Sequence, residues 1–447
     1  MNLEKIKFSL ALFVGRLVYL FMKILGLDAT TFPGKVVLKI DPQFLIKIKN
    51  RFKKIILVTG TNGKTTTNNL IFQIITKSGY KALGNLEGAN LRTGIATAFI
   101  RNPSYYDFGV FEVDEGIFPF VYKDLKPHYV VITNFFRDQL DRYGEIDTTV
   151  EKIKGAIKDS KEHILILNAD DPFVSRFSDL PNRKIYYGIG NKVRKKDTEE
   201  IKESIYCPKC GKILKYEFFN YAQLGRYFCE CGFKNPDYDY YILSAEYKEN
   251  YWLIHIKDGD EDVFLNFRYP GVYNLYNVIS AYSVGRVLGI DKEILKNIIS
   301  NFSFRLGRLE KFDLEGYERI LVLVKNPAGY NQVLDTIKDD PNEKVLLLIL
   351  NDNVADGRDV SWIWDVDFEK IKDDNISTVI CSGTRAEDLL VRLKYAEIPL
   401  NKIILENNLN TAILKILTFK AKTYILPTYT ALFKSRKLIM KRLRNGT

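Results

Sequence analysis

The chain has 447 residues, enough for about two to four domains, and its 46% apolar and 13% aromatic content excludes a mostly disordered polypeptide. Lys and Arg outnumber Asp and Glu by 66 to 55, a surplus of 11 that favours an anionic partner (nucleotide, nucleic acid, acidic substrate or membrane surface) without choosing among them. Of the five cysteines, Cys207, Cys210, Cys229 and Cys231 are clustered, which argues against a secreted disulfide framework and for a metal site in a reducing compartment, the cytoplasm.

In chain order, the most apolar stretch, 8–27, is interrupted by Arg16 and Lys23 and lacks a small-residue cleavage site. It reads neither as a spanning helix nor as a signal peptide. Two readings stay open: a helix packed on the protein, or a basic amphipathic helix on a membrane, with Lys5, Lys7, Arg16 and Lys23 at anionic head groups. Residues 30–54 read as a basic, irregular lead-in. Short apolar runs then alternate with helical patterns, giving strands over 55–59, 108–113, 129–133 and 164–167, a helix over 65–77 and a polar helix beyond 148. This pattern predicts a parallel sheet covered on both faces.

Residues 206–234 break the pattern as an inserted module. Antiparallel strands over 240–245, 251–256 and 263–267, leading into a helix over 274–288 that stops at Gly289, fit a return to the first domain. A second series follows, with strands over 320–324, 344–350, 378–381 and 402–405 and helices over 385–396 and 409–417. The expected architecture is α/β: a lead-in over 1–50, a central P-loop domain over 51–310 with an insertion at 205–235, and a doubly wound C-terminal domain over 311–447.

The sharpest motif is the apolar run 55–59 entering Gly60-Thr61-Asn62-Gly63-Lys64-Thr65-Thr66 and opening a helix. Small residues let backbone N–H groups and the helix N-terminus face phosphate oxygens, Lys64 balances β/γ charge, and the Thr65 hydroxyl can reach Mg2+. The loop is shorter than the usual pattern, with only Thr61 and Asn62 between its glycines. In the insertion, Cys207-Pro208-Lys209-Cys210 and Cys229-Glu230-Cys231-Gly232 form two thiolate knuckles suited to tetrahedral Zn2+, and four cysteines leave no open position, so the site reads as structural.

The shortened loop resembles that of the Mur ligases and folylpolyglutamate synthases, which join an amine to a carboxylate through an acyl phosphate. In order along the chain, Glu112-Val113-Asp114-Glu115-Gly116 resembles the family's acidic Mg2+ element and Thr133-Asn134 with Asp138-Gln139-Leu140-Asp141 its T-N…D-H-L-D segment. Gly271-Val272-Tyr273-Asn274 with Asn277 is similar to the segment that approaches adenine, and Gly307-Arg308-Leu309-Glu310 to the one whose Arg approaches the phosphates. Gln139 and Tyr273 replace family histidines, and Lys152, Lys154 and Lys158 read as a solvated helix face rather than a modified lysine.

The cysteine insertion, the run 323–329 containing Lys325-Asn326-Pro327, and the segment 351–362 resemble more narrowly the MurT family, ligase-type subunits of lipid II isoglutaminyl synthases that work with a GatD glutaminase. That resemblance implies an ATP-dependent amidation of lipid II at the cytoplasmic membrane face. ATP would be held between two domains by Lys64 and Arg308, with Asn274 near its adenine, and Mg2+ by Thr65 and Glu112. Lys325 would be a further cation near the γ-phosphate. It also implies that an acidic residue of the 352–359 loop completes the glutaminase's Cys-His pair. Asp352, Asp356 and Asp359 compete, and Asp359, in the Gly357-Arg358-Asp359 element, is preferred. The rival readings are a stand-alone amino-acid ligase of the same type and a nucleic-acid-stimulated P-loop ATPase using the cysteine ribbon. Arg385, at a strand-to-helix turn, is open between facing substrate and starting a helix, and His128, His163 and His255 read as packing or surface residues.

Overall fold

The computed structural model describes residues 3–27, 29–86, 89–137, 145–193, 204–248, 251–303 and 308–445. The chain divides into two compact units, Met1–Phe136 with Ile146–Phe302, and Ser303–Thr447 with Arg137–Glu145.

The first unit begins with helices α1 (Leu3–Ile24), α2 (Phe32–Ile40) and α3 (Phe44–Ile48), so the lead-in expected to be irregular is helical. Lysines mask its pattern: Pro33, Gly34 and Val37 form one buried face of α2 while Lys35 and Lys39 stay in solvent. The Gly34 amide donates to Thr97 Oγ1 at 2.9 Å, which seats α2 on helix Arg92–Arg101.

The strands of this unit are β1 (Phe52–Thr59), β2 (Ala82–Gly84), β3 (Tyr106–Glu112), β4 (Tyr129–Ile132), β5 (Ile164–Asn168), β6 (Lys184–Ile189), β7 (Lys215–Tyr221), β8 (Leu224–Phe228), β9 (Tyr240–Lys248), β10 (Tyr251–Asp258) and β11 (Glu261–Phe267). Nine of them form one sheet in the order β11-β10-β9-β6-β5-β4-β1-β3-β2, and β7-β8 pair separately. From β2 to β9 every pairing in the large sheet is parallel, and β9, β10 and β11 run antiparallel as the sequence pattern over 240–267 expects, which makes the sheet mixed. The short turn at Gly259 between β10 and β11 allows only an antiparallel return. In β1, Ile55 and Leu57 enter a core also built from Phe111, Val130 and Leu165, while Ile56 and Val58 are buried on the opposite face. Apolar side chains on both faces are why the strand reads as a continuous run rather than an alternation.

The second unit holds β12 (Arg308–Leu314), β13 (Tyr317–Val322), β14 (Lys344–Ile349), β15 (Ile376–Ser382), β16 (Ile403–Leu405) and β17 (Lys422–Pro427) in the order β12-β13-β17-β14-β15-β16. All pairs are parallel except β12 with β13. In β14, Leu346 and Leu348 enter one core while Val345, Leu347 and Ile349 enter the other, the doubly covered sheet that was expected. Strand β17, central between β13 and β14, was not predicted, nor was helix Pro327–Lys338, whose cap is the Asn326 side chain accepting from Gly329 N at 2.8 Å.

Candidate active site

Strand β1 ends at Thr59 and the chain turns through Gly60 (φ 117°) and Gly63 (φ 82°), left-handed conformations that favour glycine. Space demands glycine as well: a Cβ on Gly60 would lie 2.4 Å from Thr133 Oγ1, and one on Gly63 2.1 Å from Asn277 Oδ1. The segment after β4 fixes the loop. Asn134 accepts from Thr61 N through its carbonyl (2.8 Å) and from Asn62 N through its side chain (2.9 Å), while Thr133 Oγ1 donates to the Asn62 carbonyl at 2.9 Å.

Lys64 is the first residue of α4 (Lys64–Lys77) and is buried. Its ammonium donates to Glu115 Oε2 at 2.9 Å, to the Thr61 carbonyl at 3.2 Å and to the Gly60 carbonyl. Burial alone would push the lysine down, but Glu115, Asp114 and Glu112 outweigh it and hold Lys64 above the usual lysine range. Thr65 and Thr66 follow at the helix N-terminus, both buried.

The acidic element sits where β3 ends. The Asn85 side chain brackets the Glu112 backbone, accepting from its amide at 2.9 Å and donating to its carbonyl at 2.8 Å. One Glu112 carboxylate oxygen takes a long 3.5 Å bond from Asn90, and the other, Oε2, is buried without a hydrogen-bond partner among the described residues. An orphaned buried carboxylate oxygen beside a lysine and a helix N-terminus fits a divalent cation. Helix Val272–Val287 closes the loop's other side: Thr67 Oγ1 donates to Asn277 Oδ1 at 3.2 Å, Asn277 Nδ2 to Asn274 Oδ1 at 3.2 Å, and Asn274 Nδ2 to the Pro270 carbonyl at 2.7 Å. The structure thus brings Gly60, Thr61, Asn62, Gly63, Lys64, Thr65, Glu112 and Asn277 together, with Asn274 one bond further on.

Residues 138–141, including Gln139, lie outside the described residues, as does the side chain of Arg308, whose backbone opens β12. Lys152 and Lys158 are exposed and Lys154 pairs with Asp179 at 2.6 Å, as a solvated helix face would. His163 is buried against Tyr122 and desolvation pushes it down to about 4.

Sequence reasoning missed Asn168-Ala169-Asp170-Asp171, at the end of β5. Asn168 Nδ2 donates to the Thr133 carbonyl at 2.9 Å, and Asp171 Oδ2 accepts from Phe135 N at 2.7 Å, so this turn supports the segment that grips the loop. Asp170 accepts from Tyr238 (2.6 Å), Tyr276 (2.9 Å) and Ile189 N (2.9 Å). Burial pushes each of the two carboxyls up to about 7. Two acids directly after an apolar strand were the available signal.

The inserted module is the β7-β8 hairpin with its knuckles. The Sγ atoms of Cys207, Cys210, Cys229 and Cys231 lie within 4.8 Å of one another, with Cys207–Cys231 at 3.6 Å and Cys210–Cys229 at 3.5 Å. A tetrahedral Zn–S bond of about 2.3 Å requires sulfur separations near 3.8 Å, so the cluster fits Zn2+. Gly211 (φ 73°) and Gly232 (φ 86°) turn the knuckles, and the Phe233 amide holds the Cys231 thiol down at about 7. The hairpin also reaches the phosphate loop. Asn62 Nδ2 donates to the Tyr221 hydroxyl at 3.0 Å, Gln223 Nε2 to the Phe135 carbonyl at 2.7 Å, and Gly225 N to the Asp170 carbonyl at 3.1 Å.

In the second unit the three loop aspartates differ. Asp356 is buried and accepts from Thr430 N at 2.8 Å and from the Thr430 hydroxyl, tying the loop to helix Tyr429–Asn445. Asp352 accepts from Thr384 Oγ1 at 2.8 Å and pairs with Arg385 at 3.4 Å; the Thr384 hydroxyl and then Arg385 hold its carboxyl below the usual range. Arg385 also pairs with Asp388 at 2.6 Å, so it secures the turn at the start of helix Ala386–Tyr395. Asp359 is exposed, accepts from Ser361 N at 2.8 Å, and is held below the usual range by Ser361. Lys325 is half-buried, one residue before the Asn326 cap.

Compared with known proteins, residues 58–230 match the Mur ligase middle domain family and residues 323–432 the MurT ligase C-terminal family. The chain is 40% identical to the lipid II isoglutaminyl synthase (glutamine-hydrolyzing) subunit MurT of Staphylococcus aureus (strain COL), over 94% of this chain and 95% of that protein. It is 38% identical to the subunit of the same name from Streptococcus pneumoniae (strain ATCC BAA-255 / R6), over 98% of each. Among solved structures, a pseudomurein peptide ligase type C from Methanothermus fervidus aligns with a TM-score of 0.68 at 26% identity, covering 90% of this chain and 81% of that one.

Proposed function

Because the chain belongs to the MurT family of Mur-type ligase subunits, we propose that it amidates the α-carboxylate of D-glutamate in the lipid II stem peptide, with ATP as activator and ammonia from a GatD-like glutaminase subunit, at the cytoplasmic membrane face. The observation that carries this reading is the glycine loop closing on Lys64 beside Glu112, Asp114 and Glu115, a buried cation and acid cluster at a helix N-terminus suited to a polyphosphate.

A carboxylate does not accept ammonia directly, so it must first be activated. A substrate carboxylate oxygen attacks the γ-phosphorus, the bond to the β-phosphate bridging oxygen breaks, and ADP leaves. The ammonia lone pair then attacks the acyl carbon, the carbon–oxygen bond to phosphate breaks, and nitrogen loses a proton to give D-isoglutamine. Such transfers gain chiefly from positioning and charge stabilisation. Lys64 and Arg308 would face the phosphates and Asn274 the adenine side, with Lys325 a further cation for the γ-phosphate. Thr65 and Glu112 would hold Mg2+, which when bound neutralises phosphate charge. Zn2+ on Cys207, Cys210, Cys229 and Cys231 would order the ribbon.

Asp359 is the residue of this chain assigned to the partner's glutaminase centre, as the carboxylate orienting a histidine. Its exposure and lowered affinity for protons suit a group that must stay ionised and reach outward. The test is mass spectrometry of lipid II incubated with this chain, a GatD-like partner, ATP and glutamine. The expected product shows one hydroxyl replaced by an amino group and depends on both ATP and glutamine. Turnover with a free amino acid in place of glutamine would favour a stand-alone ligase and overturn the proposal.

A further inference from the structure

We infer that α1 is an in-plane membrane anchor, fixed to the first unit by one face and seating its opposite apolar stripe in the surface of an anionic bilayer. This deepens the reading of a lipid-linked substrate, and its test requires no turnover.

At about 100° per residue, Ile6, Leu10, Phe13, Leu17, Phe21 and Ile24 fall within one arc of about 80°. All six are exposed, Phe13, Phe21 and Ile24 by 62%, 64% and 83%. The opposite arc is docked: Phe8 stacks on Phe44 at 5.1 Å between ring centres, Ala11 is fully buried, and Tyr19 lies under Arg101 at 5.8 Å. Gly15 lets α1 approach α2 so closely that a Cβ there would come 2.3 Å from Val37. The stripe is therefore not a loosely placed core face. Rotating it inward would undo these contacts.

Charge selects the occupant. Lys5, Arg16 and Lys23 lie on the flank between the stripe and the docked face and Lys7 on the opposite flank, all exposed. Glu4, the single acid of α1, lies on the docked side near Lys47 at 3.9 Å. An apolar stripe bordered by bases matches an anionic lipid interface, where acyl chains receive the stripe and head groups the bases. Two copies paired stripe to stripe in antiparallel fashion would set Lys5 and Lys23 against each other. Among the described residues no helix is long and apolar enough to cross a membrane, and α1, with one face docked on protein, would lie along the surface.

The experiment is co-sedimentation of the full chain with vesicles of phosphatidylglycerol and phosphatidylcholine, against phosphatidylcholine alone. Binding is expected to the anionic vesicles and to weaken as salt is raised. Phe13→Ser/Leu17→Ser/Phe21→Ser should lose about tenfold or more in vesicle affinity while melting temperature and nucleotide affinity hold. Arg16→Glu/Lys23→Glu, which leaves the apolar stripe intact, should abolish the preference for anionic vesicles. Absence of binding by the parent chain, or binding by both variants equal to that of the parent, would overturn the inference. So would a dimer in light scattering that the triple variant dissolves, since it would assign the stripe to a second copy. These vesicles contain no lipid II, so failure here leaves the amidation proposal standing.

Discussion

The phosphate loop and the acidic loop of the second unit are both short connections after a parallel strand, yet they are built in opposite ways. Around 60–64 the side chains of Thr61 and Lys64 are buried, that of Asn62 is half-buried, and several elements hold them: Asn134 from beyond β4, Glu115 from beyond β3, Asn277 from a distant helix and Tyr221 from the inserted hairpin. Around 352–359 the chain secures Asp356 and Asp352 inward and leaves Asp359 at the surface, engaged with Ser361 two residues on. A loop that receives a small polyanion can be shaped and held by side chains of its own unit. A carboxylate proposed to serve another protein would have to remain outside until that protein arrives.

The contrast is broken most severely at Lys64. Lys64→Ala removes a buried charge that Glu115 and Glu112 face, and ATP-dependent amidation should fall at least about a thousandfold while circular dichroism stays near that of the parent. Amidation at the parent rate would remove the loop from the chemistry. Asp359→Asn probes the opposite design: glutamate release by the complex should drop by about 100- to 10,000-fold, with ATP binding and complex assembly kept and amidation restored by free ammonium. Unchanged glutamate release would transfer the role to Asp352 or Asp356, and loss of both activities would make the loop structural.

A smaller effect separates the ribbon from both. Cys207→Ser/Cys229→Ser should release zinc and lower the melting temperature of the first unit, and an unmutated chain without zinc by elemental analysis would dismiss the ribbon assignment. The smallest is a pH effect at Asp170. Because burial raises its carboxyl to about 7 from an unfolded value near 3.8, the folded chain holds the extra proton, and stability falls as pH rises from about 4 through 7. Asp170→Asn mimics the protonated form, so its melting temperature relative to the parent should rise between pH 5 and pH 8. A difference that does not change with pH would show that Asp170 stays ionised throughout.

Much of the phosphate site was legible because its requirements are local. Gly60, Gly63 and Lys64 must be consecutive with a strand and a helix, and apolar strands buried on both faces announce a covered sheet. The cysteine knuckles were legible for the same reason. The supports of that site were not, because Asp171, Tyr221 and Gln223 reach it across long sequence separations and carry no motif. Helix α2 hid behind Lys35 and Lys39 on its solvent side, and α3 behind Lys47, which is partly buried against Asp41. Strand β17 lies late in the chain yet at the middle of its sheet, and its place follows from pairing with β13 and β14 rather than from composition.

The bond from Asn62 to Tyr221 gives the inserted hairpin a thermodynamic consequence. A metal ordering the hairpin would lower the entropy lost when nucleotide fixes the loop, and reciprocity would then require nucleotide to tighten metal binding by the same factor. Measured as a cycle, apparent zinc affinity with and without ATP should therefore differ by the same ratio as ATP affinity with and without zinc.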